Sequence, residues 1–307
     1  LIMLKFKADI RAVAYMIIIS IMFYYFWTIG YDKLISFDIP TIVLYVIYGF
    51  FAVSVSVMTH NHCHINIWNN KYLNMFTDWW LTVFYGVPVF TWIPTHNRNH
   101  HKYNNKEGDS SLTYRHTEEN NLLSLLSYPS VSGFHQLTMS VIPYMKELKK
   151  KDKTLYYQNW LQVFILAAWI IGFLILDWKK AILFVILPQQ LSGFMVFVFN
   201  YVQHVHADEE SRWNHSRNFM GVNLFLFNNG YHTIHHDKAF LHWSQAPAEH
   251  EKIKANIDPD LIEPSFFWYV IRTHVLSLFV PSWRSHNRRK ARIEAQGKPF
   301  PPTTLAQ

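Results

Sequence analysis

Two stretches of this chain decide most of what it can become. Residues 12–30 carry no charged side chain over 19 positions, and residues 39–58 carry none over 20. About 20 consecutive apolar residues are needed to cross a bilayer core, so both read as transmembrane helices. A second pair, residues 160–176 and 181–202, is separated only by Asp177-Trp178-Lys179-Lys180, which predicts a tight hairpin. The first segment is too long for a cleavable leader and lacks a small-residue cleavage site after it. With 50% hydrophobic and 16% charged residues, and weak strand signals throughout, the expected fold is an all-α integral membrane protein. Four transmembrane helices form two hairpins, and residues 60–159 and 203–292 form a helical cap; residues 293–307 read as a loose tail. The whole is expected to be one domain, residues 1–307.

Two further apolar stretches do not read as spans. Residues 72–94 contain Asp78, Gly86, Pro88 and Pro94, with Trp79, Trp80 and Trp92 suited to an interface, so a shallow or re-entrant helix pair is expected. Residues 265–283 hold Arg272 and His274 mid-segment and read as an interfacial helix.

The 18 histidines are clustered. His60 and His64 stand at i,i+4; His96, His100 and His101 follow in H-x3-H-H spacing, and His232, His235 and His236 in H-x-x-H-H spacing. On helices, these spacings bring ring nitrogens to one face, which suits metal ligation rather than packing. Asn200 precedes His204 by one helical turn. Counting His204, nine histidines are candidate ligands. To share one site they must leave the membrane on the same side, which four spans in two hairpins allow. Lys and Arg are concentrated on that side, so the positive-inside rule makes the termini and the site cytoplasmic.

The three boxes, their order and their membrane context resemble the membrane-bound fatty acid desaturase and hydroxylase superfamily, over roughly residues 40–250. That resemblance implies a non-haem di-iron centre held by His60, His64, His96, His100, His101, His204, His232, His235 and His236, with Asn200 reaching a metal through water. It implies an O2-dependent oxidoreductase that introduces a double bond into an unactivated acyl chain, on a lipid or a carrier. Hydroxylation of a lipid, alkane or carotenoid by the same centre stays open, since ligand motifs do not fix substrate placement. Another divalent metal can replace iron in purified protein. A metal transporter would carry its ligands inside the spans, not at their ends.

No fused electron-transfer domain is visible, so a separate ferredoxin-, rubredoxin- or cytochrome b5-like donor is implied, with acyl carrier protein or coenzyme A as possible acyl carriers. The chain looks most like small bacterial acyl desaturase-like proteins, which would place it in a bacterial inner membrane. The formal charge of +7 is concentrated in Lys146–Lys153 and Arg284–Arg292, which are read as contacts for anionic lipid or for an acidic partner, not for nucleic acid. His62 and His206 sit two positions from a ligand and are expected to face away from the metal. His116, His135, His215, His242, His250, His274 and His286 read as ordinary polar positions. Asp78, Asp109, Asp208 and Asp237 are the acids nearest the boxes, unranked as partners of metal-bound rings. Gln189 and Gln190, inside the fourth span, either line a substrate path or bond helix to helix.

Overall fold

The computed structural model describes residues 3–299; the last eight residues of the expected tail lie outside the described residues. Two compact units emerge, one of residues 1–93 and 145–196, the other of residues 94–144 and 197–307. Among the described residues, three helical segments are long and apolar enough to cross a membrane: Lys7–Ile35, Ile39–His64 and Lys153–His204.

In the first unit, the Ile39–His64 helix starts at an Asp38 cap whose carboxylate accepts the Thr41 amide at 3.0 Å, with Pro40 in the first turn. The third segment is broken where the sequence places its hairpin. Asp177 leaves helical geometry (φ −162°, ψ 100°), and its Oδ1 accepts the amides of Lys179 and Lys180 at 3.0 and 3.2 Å, which starts a new helix. Packing shows that the chain reverses there. The Phe84 ring lies 5.7 Å from that of Trp169, while the neighbouring Val83 carbonyl accepts from Gln189 Nε2 at 2.7 Å. In a straight helix, residues 169 and 189 would stand about 30 Å apart. The Gln189 contact is therefore the helix-to-helix bond that was one of its two expected roles.

Lys71–Tyr85 is a 15-residue helix that ends at Gly86, whose φ of +81° disfavours any side chain, and whose Cβ would meet Gln189 Cβ at 2.5 Å. At about 1.5 Å per residue it falls short of a bilayer core, and it is not among the three candidate spans. Trp80 Nε1 bonds Ser20 Oγ at 3.0 Å, and Gln162 Oε1 accepts the Phe90 amide at 3.0 Å. Apolar side chains point outward: Phe164, Ile171, Ile175 and Leu176 are all exposed.

The second unit is built differently. A two-residue parallel pairing, Asn218–Phe219 with Ile262–Glu263, ties the loop after the Leu187–His204 helix to the start of the C-terminal segment. Phe219 packs edge-on against Phe266 and Tyr269, at centroid distances of 5.4 and 5.5 Å. Residues 265–283 are not one helix. A short helix, Phe266–Val270, capped by Ser265, gives way to successive tighter and wider turns. The segment is amphipathic all the same: Phe267, Trp268, Ile271, Leu278 and Phe279 are exposed, while Phe266, Tyr269, Thr273 and His274 are buried.

The Arg288–Ala295 helix extends into the segment read as tail, and its Ile293 is buried. Its arginines do not form a free basic surface. Arg288 pairs with Asp258 at 2.7 Å, Arg289 with Glu118 at 2.6 Å and Glu209 at 3.1 Å, and Arg292 with Asp208 at 2.6 Å. These ion pairs leave less of the Arg284–Arg292 charge free for anionic lipid or an acidic partner.

Candidate metal centre

Two local devices present the histidines in the second unit. The Ile93–His100 stretch is a widened turn, a form frequent at functional sites, and the helix after it is stopped by Asn104 and Asn105 in left-handed conformation (φ 47° and 63°). The reversal carries Asp109 back under the box: its Oδ2 accepts the Asn105 amide at 2.7 Å. The third box sits on the six-residue helix His232–Asp237. Gly230, two residues before it, donates its amide to Asn223 Oδ1 and accepts from the Phe219 amide; a Cβ there would stand 1.8 Å from the Phe219 carbonyl oxygen. Only glycine allows that approach.

His100, His204, His232 and His236 form one group, with ligand nitrogens all within 4.8 Å of one another. His204 Nε2 lies 3.1 Å from His100 Nε2 and 2.9 Å from His232 Nε2, which in turn lies 3.2 Å from His236 Nε2. A second convergence joins His96, His101 and His235, with His101 Nε2 3.1 and 3.0 Å from the Nε2 atoms of the other two. His60 and His64 belong to the first unit. They lie side by side at the end of their helix, 5.0 Å between centroids, with His60 stacked on Trp92.

The hydrogen bonds behind the rings reveal what these nitrogens are for. His100 Nδ1 faces Asp109 Oδ2 at 2.8 Å and His204 Nδ1 faces the His215 carbonyl at 3.3 Å, so both rings carry their proton on Nδ1 and turn an Nε2 lone pair inward. Two lone pairs 3.1 Å apart repel unless a cation lies between them. The donor set therefore fits a metal ion, and an all-imidazole set suits iron, copper or zinc. Asp109 is fully buried. Burial alone would raise its pKa, yet hydrogen bonds from His100 and twice from Ser111 lower it, so the carboxylate behind His100 is ionised.

Of the four acids left unranked, Asp109 is thus the one that orients a ligand ring in this group. Asp78 instead meets His62 Nε2 at 3.2 Å, Asp208 pairs with Arg292, and Asp237 with Arg212. His62 Nδ1 accepts the Ile67 amide, and His206 is held between the Glu118 and Ser285 carbonyls, so both are structural. Asn200 donates to the Tyr128 hydroxyl at 2.5 Å, and Tyr128 to the Ser111 carbonyl at 2.6 Å. That links the amide to the loop that orients His100. Sequence reasoning missed His215, which is buried with its ring 5.5 Å from that of His236 and, through burial, a pKa lowered to about 4. Its signal would have been one more histidine in the polar loop between His204 and the third box.

Helices long and apolar enough to cross a membrane, together with a histidine-only constellation that could hold metal, are the features of a membrane metal-binding class. The family model described as Fatty acid desaturase matches residues 38–289, and the chain belongs to that family. Comparison with curated proteins and with solved structures gave no match. Membership makes the chain an oxidoreductase of a di-iron family whose members generally use an electron donor and an acyl substrate.

Proposed function

We propose that the chain is an O2-dependent desaturase of unactivated acyl chains, lipid- or carrier-bound, drawing two electrons from a separate ferredoxin-, rubredoxin- or cytochrome b5-like donor. The observation that carries this reading is the inward-facing Nε2 set of His100, His204, His232 and His236, with tautomers fixed by Asp109 and the His215 carbonyl. When bound, a pair of non-haem irons would supply the O2 activation needed to remove hydrogen from an unactivated C–H.

In this reading His96, His101 and His235 hold the second ion. His60 and His64 join them on the strength of the box pattern, and Asn200 contributes through water. Asp109 keeps the His100 ring basic and fixed, and Ser111 and Tyr128 hold Asp109 and its loop in place. The chain reversal at Asp177 supports counting four membrane crossings, with the histidines and basic residues on the cytoplasmic side of a bacterial inner membrane.

The test is mass spectrometry of lipids and acyl thioesters from cells expressing the chain with a matching donor. Products two hydrogens lighter than an acyl precursor are expected. Products one oxygen heavier would replace desaturation with hydroxylation, and a His100→Ala variant should give neither.

A further inference from the structure

A cavity of about 660 Å³ in the second unit lies among residues that the proposed reaction does not use. Four arginines line it: Arg217, Arg272, Arg284 and Arg288. Two are neutralised locally, Arg272 by Glu263 at 2.7 Å and Arg288 by Asp258 at 2.7 Å. Arg217 and Arg284 form no ion pair among the described residues.

Arg217 is the unusual one. It is only 2% exposed, and its Nη1 donates to the Val202 and Val205 carbonyls at 3.0 and 3.3 Å. Its guanidinium lies 4.5 Å from the Tyr269 ring centre, and its buried Nε has no hydrogen-bond partner. A buried cation without a counter-ion is costly, and a carboxylate would be the ordinary remedy. The two carboxylates of the lining, Glu263 and Asp260, pair instead with Arg272 at 2.7 Å and Arg288 at 3.4 Å. Ser282, Ser285 and His286 add further polar groups to the lining, and Trp268 and Trp283 add partly exposed aromatic surface. A guanidinium fork matches phosphate oxygens, and two such forks match a phosphate or diphosphate. The cavity is larger than a bare phosphate, leaving room beside the tryptophans for an attached organic group.

We propose that the Arg217–Arg284 cavity is a binding site for a phosphate group carried by an organic ester. The phosphate accepts from Arg217 and Arg284, and the tryptophans cover the adjoining group. Two sources share this chemistry, the headgroup of an anionic phospholipid and a soluble phosphate ester. The amphipathic Phe266–Trp283 segment, with its exposed aromatic face, borders the cavity and suits either.

The test is calorimetric titration of the full-length protein, in neutral maltoside detergent, with inorganic pyrophosphate. Saturable binding is expected, weakened about tenfold in Arg284→Gln, which loses one charge-assisted contact. Arg284 is exposed, so this variant should keep the parent's circular dichroism and metal content. Arg212→Gln, an exposed arginine outside the cavity, should bind as the parent does. Loss of pyrophosphate binding in nanodiscs containing phosphatidylglycerol, but not in pure phosphatidylcholine, would assign the site to a lipid headgroup; retention in both would assign it to a soluble ester. Absence of saturable binding, or equal affinity in Arg284→Gln and the parent, would overturn the proposal and leave the Arg217 charge to the Val202 and Val205 carbonyls alone. No turnover is measured, so failure here leaves the desaturase reading untouched.

Discussion

The two units are built inside out with respect to one another. In the first, Phe164, Ile175 and Leu176 face outward at 69, 79 and 71% exposure, and the interior amides of Gln162 and Gln189 each meet a backbone partner. In the second, the interior holds Asp109, Arg217, Asn218, Thr233 and the imidazoles, while the aromatic residues make a smaller core around Phe219. The same physics produces both. Apolar outer surface costs nothing where lipid is the solvent, and a polar interior is stable only where every group has a partner or a ligand.

The largest effect expected from breaking this contrast comes from removing an interior group that metal alone completes. His232→Ala should lower bound metal by about half, since one of two ions loses a ligand, and abolish turnover; elemental analysis of purified protein reads the first. Full metal content in that variant would refute the assignment. Next comes Asp109→Asn, which keeps the shape but weakens the anchor on His100. Metal affinity should fall about 10–100-fold, measured by competition with a chelator.

A polar group inside the apolar-faced unit should matter through stability alone. Gln162→Leu leaves the buried Phe90 amide without its acceptor and should cost about 1–3 kcal/mol in thermal unfolding, with metal content unchanged. The smallest effect belongs to the outer face. Ile175→Ser should change detergent-solubilised stability by less than about 0.5 kcal/mol. A larger loss would show that this face packs against protein, and would end the contrast.

Much of this was legible because it is local. The i,i+4 and adjacent histidines fall together through helix geometry alone, and the reversal at Asp177 followed from four residues between two apolar runs. What escaped the sequence depends on distant parts of the chain. Arg289 looked like free positive charge because Glu118, its partner, lies 171 residues earlier. Asp109 could not be ranked above Asp78 because its place behind His100 is set by two left-handed asparagines, a conformation no periodicity announces. His206, by contrast, faces away from the ligands as its spacing from His204 predicts, held between the Glu118 and Ser285 carbonyls.

Gly230 has a consequence for how mutations distribute over this gene. A ligand histidine can be exchanged for another residue and leave a folded, metal-poor protein, but the smallest added carbon at 230 strikes the Phe219 carbonyl and dislodges the loop that delivers His232. In a saturation library scored for abundance as well as activity, position 230 should accept no replacement in either screen, while position 232 fails only in the second. An inactive variant mapped near the third box can therefore be sorted into broken chemistry or broken delivery before anything is purified.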